Sequence, residues 1–162
     1  MRGVRVTRTA AILLSVAVFA AMSAGFASPA TAAAAKQINS GYYGCLDANA
    51  TQGGNGTTVQ LWACNGSVQQ RWYVNGNTIV NAKFNRCLDA DATHGGNGTR
   101  VQLWDCNGTA QQTWNNSANF GLVNYRFGRC LDANINYYGN GTPVQLWDCN
   151  SAVQQRWYVP TS

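Results

Sequence analysis

The chain has 162 residues, with 11 Lys or Arg against 6 Asp or Glu, a formal net charge of +5, and 10% charged against 46% hydrophobic residues. Its apolar content and 11% aromatic content exclude a disordered chain. The basic residues are scattered and form no cationic track, which excludes nucleic acid as the expected partner.

In chain order, Arg2, Arg5 and Arg8 precede a continuous apolar run from Ala10 to Met22. Small residues follow, with Ala30-Thr31-Ala32 and Ala33-Ala34-Ala35 as candidate cleavage sites. This is the three-part pattern of a secretory signal peptide, assigned to residues 1–35. The apolar run is shorter than the ~20 residues of a membrane span, and no other stretch could make one. The protein is therefore expected to be secreted, with no membrane partner. Residues 36–162 are enough for one domain. They carry eight Lys or Arg, six Asp and no Glu, a net charge of +2.

Three copies of one stretch organise that domain. Val59-Gln60-Leu61-Trp62-Ala63-Cys64-Asn65 with Gln69-Gln70-Arg71-Trp72 returns as Val101-Gln102-Leu103-Trp104-Asp105-Cys106-Asn107 with Gln111-Gln112-Thr113-Trp114. It returns again as Val144-Gln145-Leu146-Trp147-Asp148-Cys149-Asn150 with Gln154-Gln155-Arg156-Trp157. Each copy follows a Cys-Leu-Asp, at Cys45, Cys87 and Cys130, so the period is 42 and then 43 residues. The repeats are approximately 36–78, 79–120 and 121–162.

Each repeat reads as strands and turns. Ile38-Asn39, Val80-Asn81 and Val123-Asn124 open the repeats at one offset from Cys-Leu-Asp. After Cys-Leu-Asp come polar loops ending in Asn55-Gly56, Asn97-Gly98 and Asn140-Gly141, which demand turns with positive φ. Val-Gln-Leu-Trp alternates and is the returning strand. Gln-Gln-x-Trp then begins the last strand, and Asn75-Gly76 turns the first repeat into the second. Three equal all-β units without capping repeats should close on themselves and leave no edge strand. The expected architecture is a closed threefold β barrel.

Every repeat holds two cysteines 19 residues apart. The predicted disulfides are Cys45–Cys64, Cys87–Cys106 and Cys130–Cys149. No Cys-x-x-Cys occurs and His94 is the single histidine, so neither a metal nor a cofactor is expected.

If Cys45 stands opposite Cys64 in an antiparallel pair, Asp47 stands opposite Trp62. Alternation then puts both on the disulfide's face, and Leu46, Ala48, Val59 and Leu61 on the core face. The same arithmetic joins Asp89 with Trp104 and Asp132 with Trp147, with Gln60, Gln102 and Gln145 on the same face. Each repeat should thus show water an indole beside a carboxylate. Asp105 and Asp148 would alternate inward, at a strand end where alternation often fails. An indole face stacks on the C–H groups of a pyranose, and a carboxylate makes strong directional bonds to its hydroxyls. Trp72, Trp114 and Trp157 are read as structural, and His94 and Asp91 as loop residues.

These motifs resemble the ricin-type β-trefoil lectins, especially the family 13 carbohydrate-binding modules of secreted bacterial glycoside hydrolases. The resemblance covers residues 36–162 and implies a β-trefoil with one shallow pocket per repeat. In that family the Asp after the first Cys binds sugar hydroxyls and the aromatic before the second Cys is the stacking platform. It also implies a sugar-binding role for an Asn-Gln pair ahead of the last Trp, and so for both glutamines of each pair here. Gln70, Gln112 and Gln155 match the Gln, while Gln69, Gln111 and Gln154 stand where the family has Asn. The implied function is a secreted, monomeric, non-catalytic lectin for galactose- or xylose-type glycans. The alternatives are an accessory module, a small glycoside hydrolase and a trefoil protease inhibitor. Hydrolysis usually uses two opposed carboxylates, whereas each repeat supplies one recurrent Asp. An inhibitor would be expected to carry one distinctive long loop.

Overall fold

The computed structural model describes residues 34–119 and 121–160. The predicted signal peptide lies outside the described residues save for its last two. Among the described residues the strands are β1 (Lys36–Gln37), β2 (Asn39–Ser40), β3 (Cys45–Ala48), β4 (Thr57–Trp62), β5 (Arg71–Asn75), β6 (Thr78–Asn81) and β7 (Cys87–Ala90). They continue with β8 (Thr99–Trp104), β9 (Trp114–Ser117), β10 (Gly121–Asn124), β11 (Cys130–Ala133), β12 (Thr142–Trp147) and β13 (Trp157–Tyr158).

The three Val-Gln-Leu-Trp strands pair with one another. The start of β4 lies against the end of β8 (Thr57 opposite Leu103), the start of β8 against β12 (Thr99 opposite Leu146), and the start of β12 against β4 (Thr142 opposite Leu61). The ring is sealed by the predicted turns. Gly56, Gly98 and Gly141 sit at φ 88°, 86° and 88°, and their N–H groups donate to Leu103, Leu146 and Leu61 oxygens at 2.8, 2.8 and 2.9 Å. A side chain there would be strained in the left-handed region. Outside the ring, each Cys-Leu-Asp strand pairs with its own β4, β8 or β12 and with an opening strand, β2, β6 or β10. Each opening strand then takes the Trp strand of the preceding repeat: β5 on β6, β9 on β10 and β13 on β2. The last pairing, Trp157 opposite Ser40, closes the molecule head to tail.

The core repeats three times: Leu46, Leu61, Val59 and Ala48 with their counterparts are at most 2% exposed. Trp72, Trp114 and Trp157 join them at 1%, 1% and 6% exposed. Their indole N–H groups donate to Leu46, Leu88 and Leu131 carbonyls at 3.0, 2.9 and 2.8 Å. These tryptophans therefore tie the last strand of a repeat to its Cys-Leu-Asp strand. Replacing Trp72 with Phe keeps most of the apolar surface but removes that donor and leaves a small void. A loss of about 2 kcal/mol, read as a lower denaturation midpoint in urea, is expected.

Three local expectations need correction. The opening dipeptides are not equivalent. Asn39 pairs with Cys45 where Val80 pairs with Cys87 and Val123 with Cys130, so the buried Ile38 matches Ile79 and Leu122. The first repeat is one residue shorter between its opening strand and its Cys. Gln-Gln does not begin a strand either. Val68–Gln70, Ala110–Gln112 and Val153–Gln155 are single 3-10 turns, and the strands follow them. Their winding comes from Asn65 and its counterparts, whose side-chain oxygens accept from Ser67, Thr109 and Ala152 N–H groups and bend the chain first. Finally, Asp105 and Asp148 lie beyond the ends of β8 and β12 and point outward. They pair with Arg86 and Arg129. Asn55 and Asn97 of the preceding repeat join those pairs, donating to Asp105 and Asp148 at 2.9 and 2.8 Å.

Candidate functional site

The disulfides Cys45–Cys64, Cys87–Cys106 and Cys130–Cys149 form as predicted, each with Cα atoms 5.1 Å apart. The strand register differs from the expected one by two residues. Cys45 stands opposite Trp62 and Asp47 opposite Gln60, with the same pattern at Cys87 and Cys130. The second cysteine of each pair lies past the strand end, so the bridge runs diagonally from strand to loop. A slip of two leaves every side chain on its expected face. Asp47, Gln60 and Trp62 therefore still share one face, with Asp47 diagonal to the indole.

Depth is the larger correction. The tryptophans are half-exposed as expected, at 37%, 38% and 38% for Trp62, Trp104 and Trp147. The carboxylates do not stand free in water: Asp47, Asp89 and Asp132 are each 3% exposed. Asp47 and Asp132 line depressions that Trp62 and Trp147 also line, and Asp89 has the same burial and the same amide partner beside Trp104. Gln60, Gln102 and Gln145 amides donate to one oxygen at 3.1, 3.2 and 3.1 Å. Gln112 and Gln155 donate to the other oxygen of Asp89 and Asp132, both at 3.0 Å.

The two members of the Gln-Gln pair do different work. Gln70, Gln112 and Gln155 are buried at 0%, 2% and 1% exposed. Their amides are fixed from several sides: Gln112 donates to the Asp105 carbonyl at 2.9 Å and accepts from Asn107 N–H at 3.0 Å. Gln70 makes the matching bonds to Ala63 and Asn65, both at 3.0 Å. These residues position the carboxylate and do not form the surface. Gln69, Gln111 and Gln154 are half-buried, and Gln69 and Gln154 line the first and third depressions.

Burial pushes the Asp47, Asp89 and Asp132 carboxyls above the ordinary carboxylate range, and the amide hydrogen bonds offset part of that rise. Asp91 moves the other way, lowered by hydrogen bonds from Thr93 N–H and hydroxyl at 2.9 and 2.7 Å. It is a turn residue, as expected, and His94 is an exposed loop side chain.

The sequence reading missed the far wall of each depression. Asn49, Ala50 and Thr51 line the first, and Asn134, Ile135 and Asn136 line the third together with Asn150. Asn49 stands two residues beyond Asp47, so alternation carried one step further places it on the same face. Among the described residues no cluster of three His, Cys, Asp or Glu could hold a metal ion, and no helix is long and apolar enough to cross a membrane.

A family model described as "Ricin-type beta-trefoil lectin domain" matches residues 34–157. The designed threefold-symmetric protein ThreeFoil superposes with a TM-score of 0.67 at 18% identity, over 75% of this chain and 94% of that one. A non-toxic homologue of type II RIPs from Momordica charantia, in complex with α-methyl-D-galactoside, gives 0.65 at 23% identity, over 76% of this chain and 46% of that one. The exo-β-1,3-galactanase 1,3Gal43A from Clostridium thermocellum gives 0.66 at 24% identity, over 76% of this chain and 29% of that one. The chain thus spans nearly all of the designed protein but less than half of the other two. A comparison with curated proteins found no match. At these identities the structural likeness shows the fold, a β-trefoil with three disulfide-bridged repeats.

Proposed function

Because the chain belongs to the ricin-type β-trefoil lectin family, we propose that it is a secreted, monomeric, non-catalytic protein that binds galactose- or xylose-type glycans at up to three sites. The residues proposed to touch sugar are Asp47, Gln60, Trp62 and Gln69, then Asp89, Gln102, Trp104 and Gln111, then Asp132, Gln145, Trp147 and Gln154. Gln70, Gln112 and Gln155 serve from beneath as positioning residues. One observation carries the reading: a half-exposed indole above an oriented carboxylate, built the same way in three places.

A carboxylate held by amides has its lone pairs aimed before a ligand arrives, so a sugar hydroxyl meets a charge-assisted acceptor with little reorganisation. The indole gives a rigid apolar face to the C–H side of the ring. Shallow single sites of this kind bind on the order of mM, and three on one body raise retention on a polymer through effective concentration. The galactoside bound to the Momordica homologue supports a galactose-type ligand. The domain's likeness to part of a galactanase supports, as a second reading, an accessory role beside a hydrolase. Hydrolysis by this chain has less support, because each depression has one carboxylate at its floor and Asp91 is held in a turn by Thr93.

The test is affinity electrophoresis in galactan and in xylan, with a glycan array to find the sugar. Changing Trp62, Trp104 and Trp147 to Ala together should abolish retardation, each site losing about 1 kcal/mol or roughly fivefold in affinity. Unchanged retardation would remove the indoles from the site, and an array without a single sugar hit would end the lectin reading.

A further inference from the structure

Each depression is walled by the repeat that owns its Asp and Trp, but the loop ahead of the next Cys-Leu-Asp strand reaches its rim. For the first site that loop brings Lys83, whose Nζ donates to the Ala50 carbonyl at 3.4 Å, and Ala50 lines the depression. For the second it brings Arg126, whose Nη1 donates to Gln111 Oε1 at 3.2 Å. Gln111 is the counterpart of Gln69 and Gln154, which line the other two sites.

Both cations are steadied over the aromatic residue that follows them. Lys83 Nζ lies 5.0 Å from the Phe84 ring centre and the Arg126 guanidinium 5.2 Å from that of Phe127. Both side chains are exposed. Among the described residues, the carboxylates within ion-pair distance of a cation are taken by Arg86, His94 and Arg129, and neither Lys83 nor Arg126 has one. Their fields reach the site floors, since Lys83 stabilises the ionised Asp47 and Arg126 the ionised Asp89.

Among the described residues that line the third site, and in the loop that meets its rim, there is no such cation. Its rim is met by the shorter loop of the first repeat, Gly41-Tyr42-Tyr43-Gly44. There Tyr42 donates its hydroxyl to the Tyr137 carbonyl at 3.1 Å and packs edge-on to Tyr138, with ring centres 5.6 Å apart. Burial raises the Asp132 carboxyl, and hydrogen bonds from Gln145, Gln155 and Gln154 offset part of that rise.

Resting on the carbohydrate reading above, we propose that the first and second sites select glycans bearing an anionic substituent, a uronate carboxylate or a sulfate ester, through Lys83 and Arg126, while the third site takes neutral sugar. A sugar hydroxyl seated on Asp47 or Asp89 would leave a neighbouring substituent within reach of an uncommitted cation at the rim. At the second site Asp91 weakens that field, so the first site carries the larger preference.

The experiment is isothermal titration of the full chain with matched neutral, uronate-bearing and sulfated oligosaccharides of the galactan and xylan series. The quantity read is the ratio of acidic to neutral affinity. Wild-type protein should favour an acidic ligand by about threefold at low salt, the scale of a screened surface ion contact. That ratio should fall to one in about 0.5 M NaCl, where the screening length is a few Å. It should also fall to one in the K83Q/R126Q variant, whose melting temperature confirms folding. The uronate and sulfate arms tell which acid is preferred. A wild-type ratio of one for both acids, or a preference that survives in K83Q/R126Q, overturns the proposal. If wild type bound neither neutral nor acidic sugar, the carbohydrate reading itself would fall.

Discussion

Reducing the three disulfides is expected to unfold the domain near room temperature or a little above it. Each bridge closes a loop with a sequence separation of 19. In the chain-entropy account such a loop is worth about 3 kcal/mol, so three together approach ~9 kcal/mol. A domain of this size has a total stability of only about 5–15 kcal/mol. The bridges therefore supply a share comparable to everything left after core burial and chain entropy cancel. They are also reachable: Cys64 and Cys106 are exposed and Cys149 is half-buried, although Cys45, Cys87 and Cys130 are buried. Near-ultraviolet circular dichroism melts with and without a thiol reductant give the answer. The reduced protein should lose tens of degrees, and the single pair C45A/C64A should lose about 3 kcal/mol in urea. A reduced protein melting within a few degrees of the oxidised one would show that the strand ring alone holds the fold.

The second large effect is on binding. Changing Asp47, Asp89 and Asp132 to Asn should abolish retention on the cognate polysaccharide and leave the melting temperature unchanged or slightly raised at neutral pH. A hydrogen bond to a charged acceptor contributes about 1.5–3 kcal/mol, and losing it moves an already weak site beyond measurement. The fold should tolerate the change. Gln112 is fixed by Asp105 and Asn107 and keeps donating to the Asn oxygen, while the Gln102 amide can turn over to accept from the new NH2 group. Stability has a definite sign here. These carboxyls are raised in the folded protein, so their contribution is fully present below the unfolded pKa of about 3.9 and is lost as pH rises through the folded value. At neutral pH the buried charge is a liability that Asn removes. Sugar binding needs the ionised form, so wild-type affinity should decline on acidification at a pH above that at which a free carboxylate titrates. A large drop in melting temperature for the triple variant would mean that the acids hold the fold.

The faces were legible because alternation is blind to a two-residue slip: Cys45 meets Trp62 and not Cys64, yet Leu46 and Leu61 still point inward and Trp62 outward. The disulfides were legible because one repeat constrains the other two. The split between the two tryptophan sets was legible from the leucine that already claimed the core side. Depth was not legible. Asp47 is covered by groups such as Gln60 and Gln70, and a strand pattern says which way a side chain points but not what stands over it. The contacts between repeats were hidden for a related reason. Arg86 with Asn55, and Arg129 with Asn97, meet across a junction between successive repeats, where no periodic signal relates them. The step from a 42- to a 43-residue period comes from the turn between β9 and β10, where Ser117 pairs with Gly121 while Asn75 pairs with Thr78. The residue missing ahead of Cys45 lies outside both intervals and could only be found from which residue pairs with which.

The pairing of Tyr158 with Asn39 has a consequence for how the thread relates to the object it makes. The three lobes form a circle, and β2 of the first lobe lies beside β13 of the third at one of its three seams. Severing the path at the Asn75–Gly76 bend and linking β13 directly to β2 would trace the same circle from another starting point. Which lobe comes first is thus a matter of bookkeeping along the polypeptide, while the order of neighbours around the circle, and so which rim residues each pocket receives, is fixed.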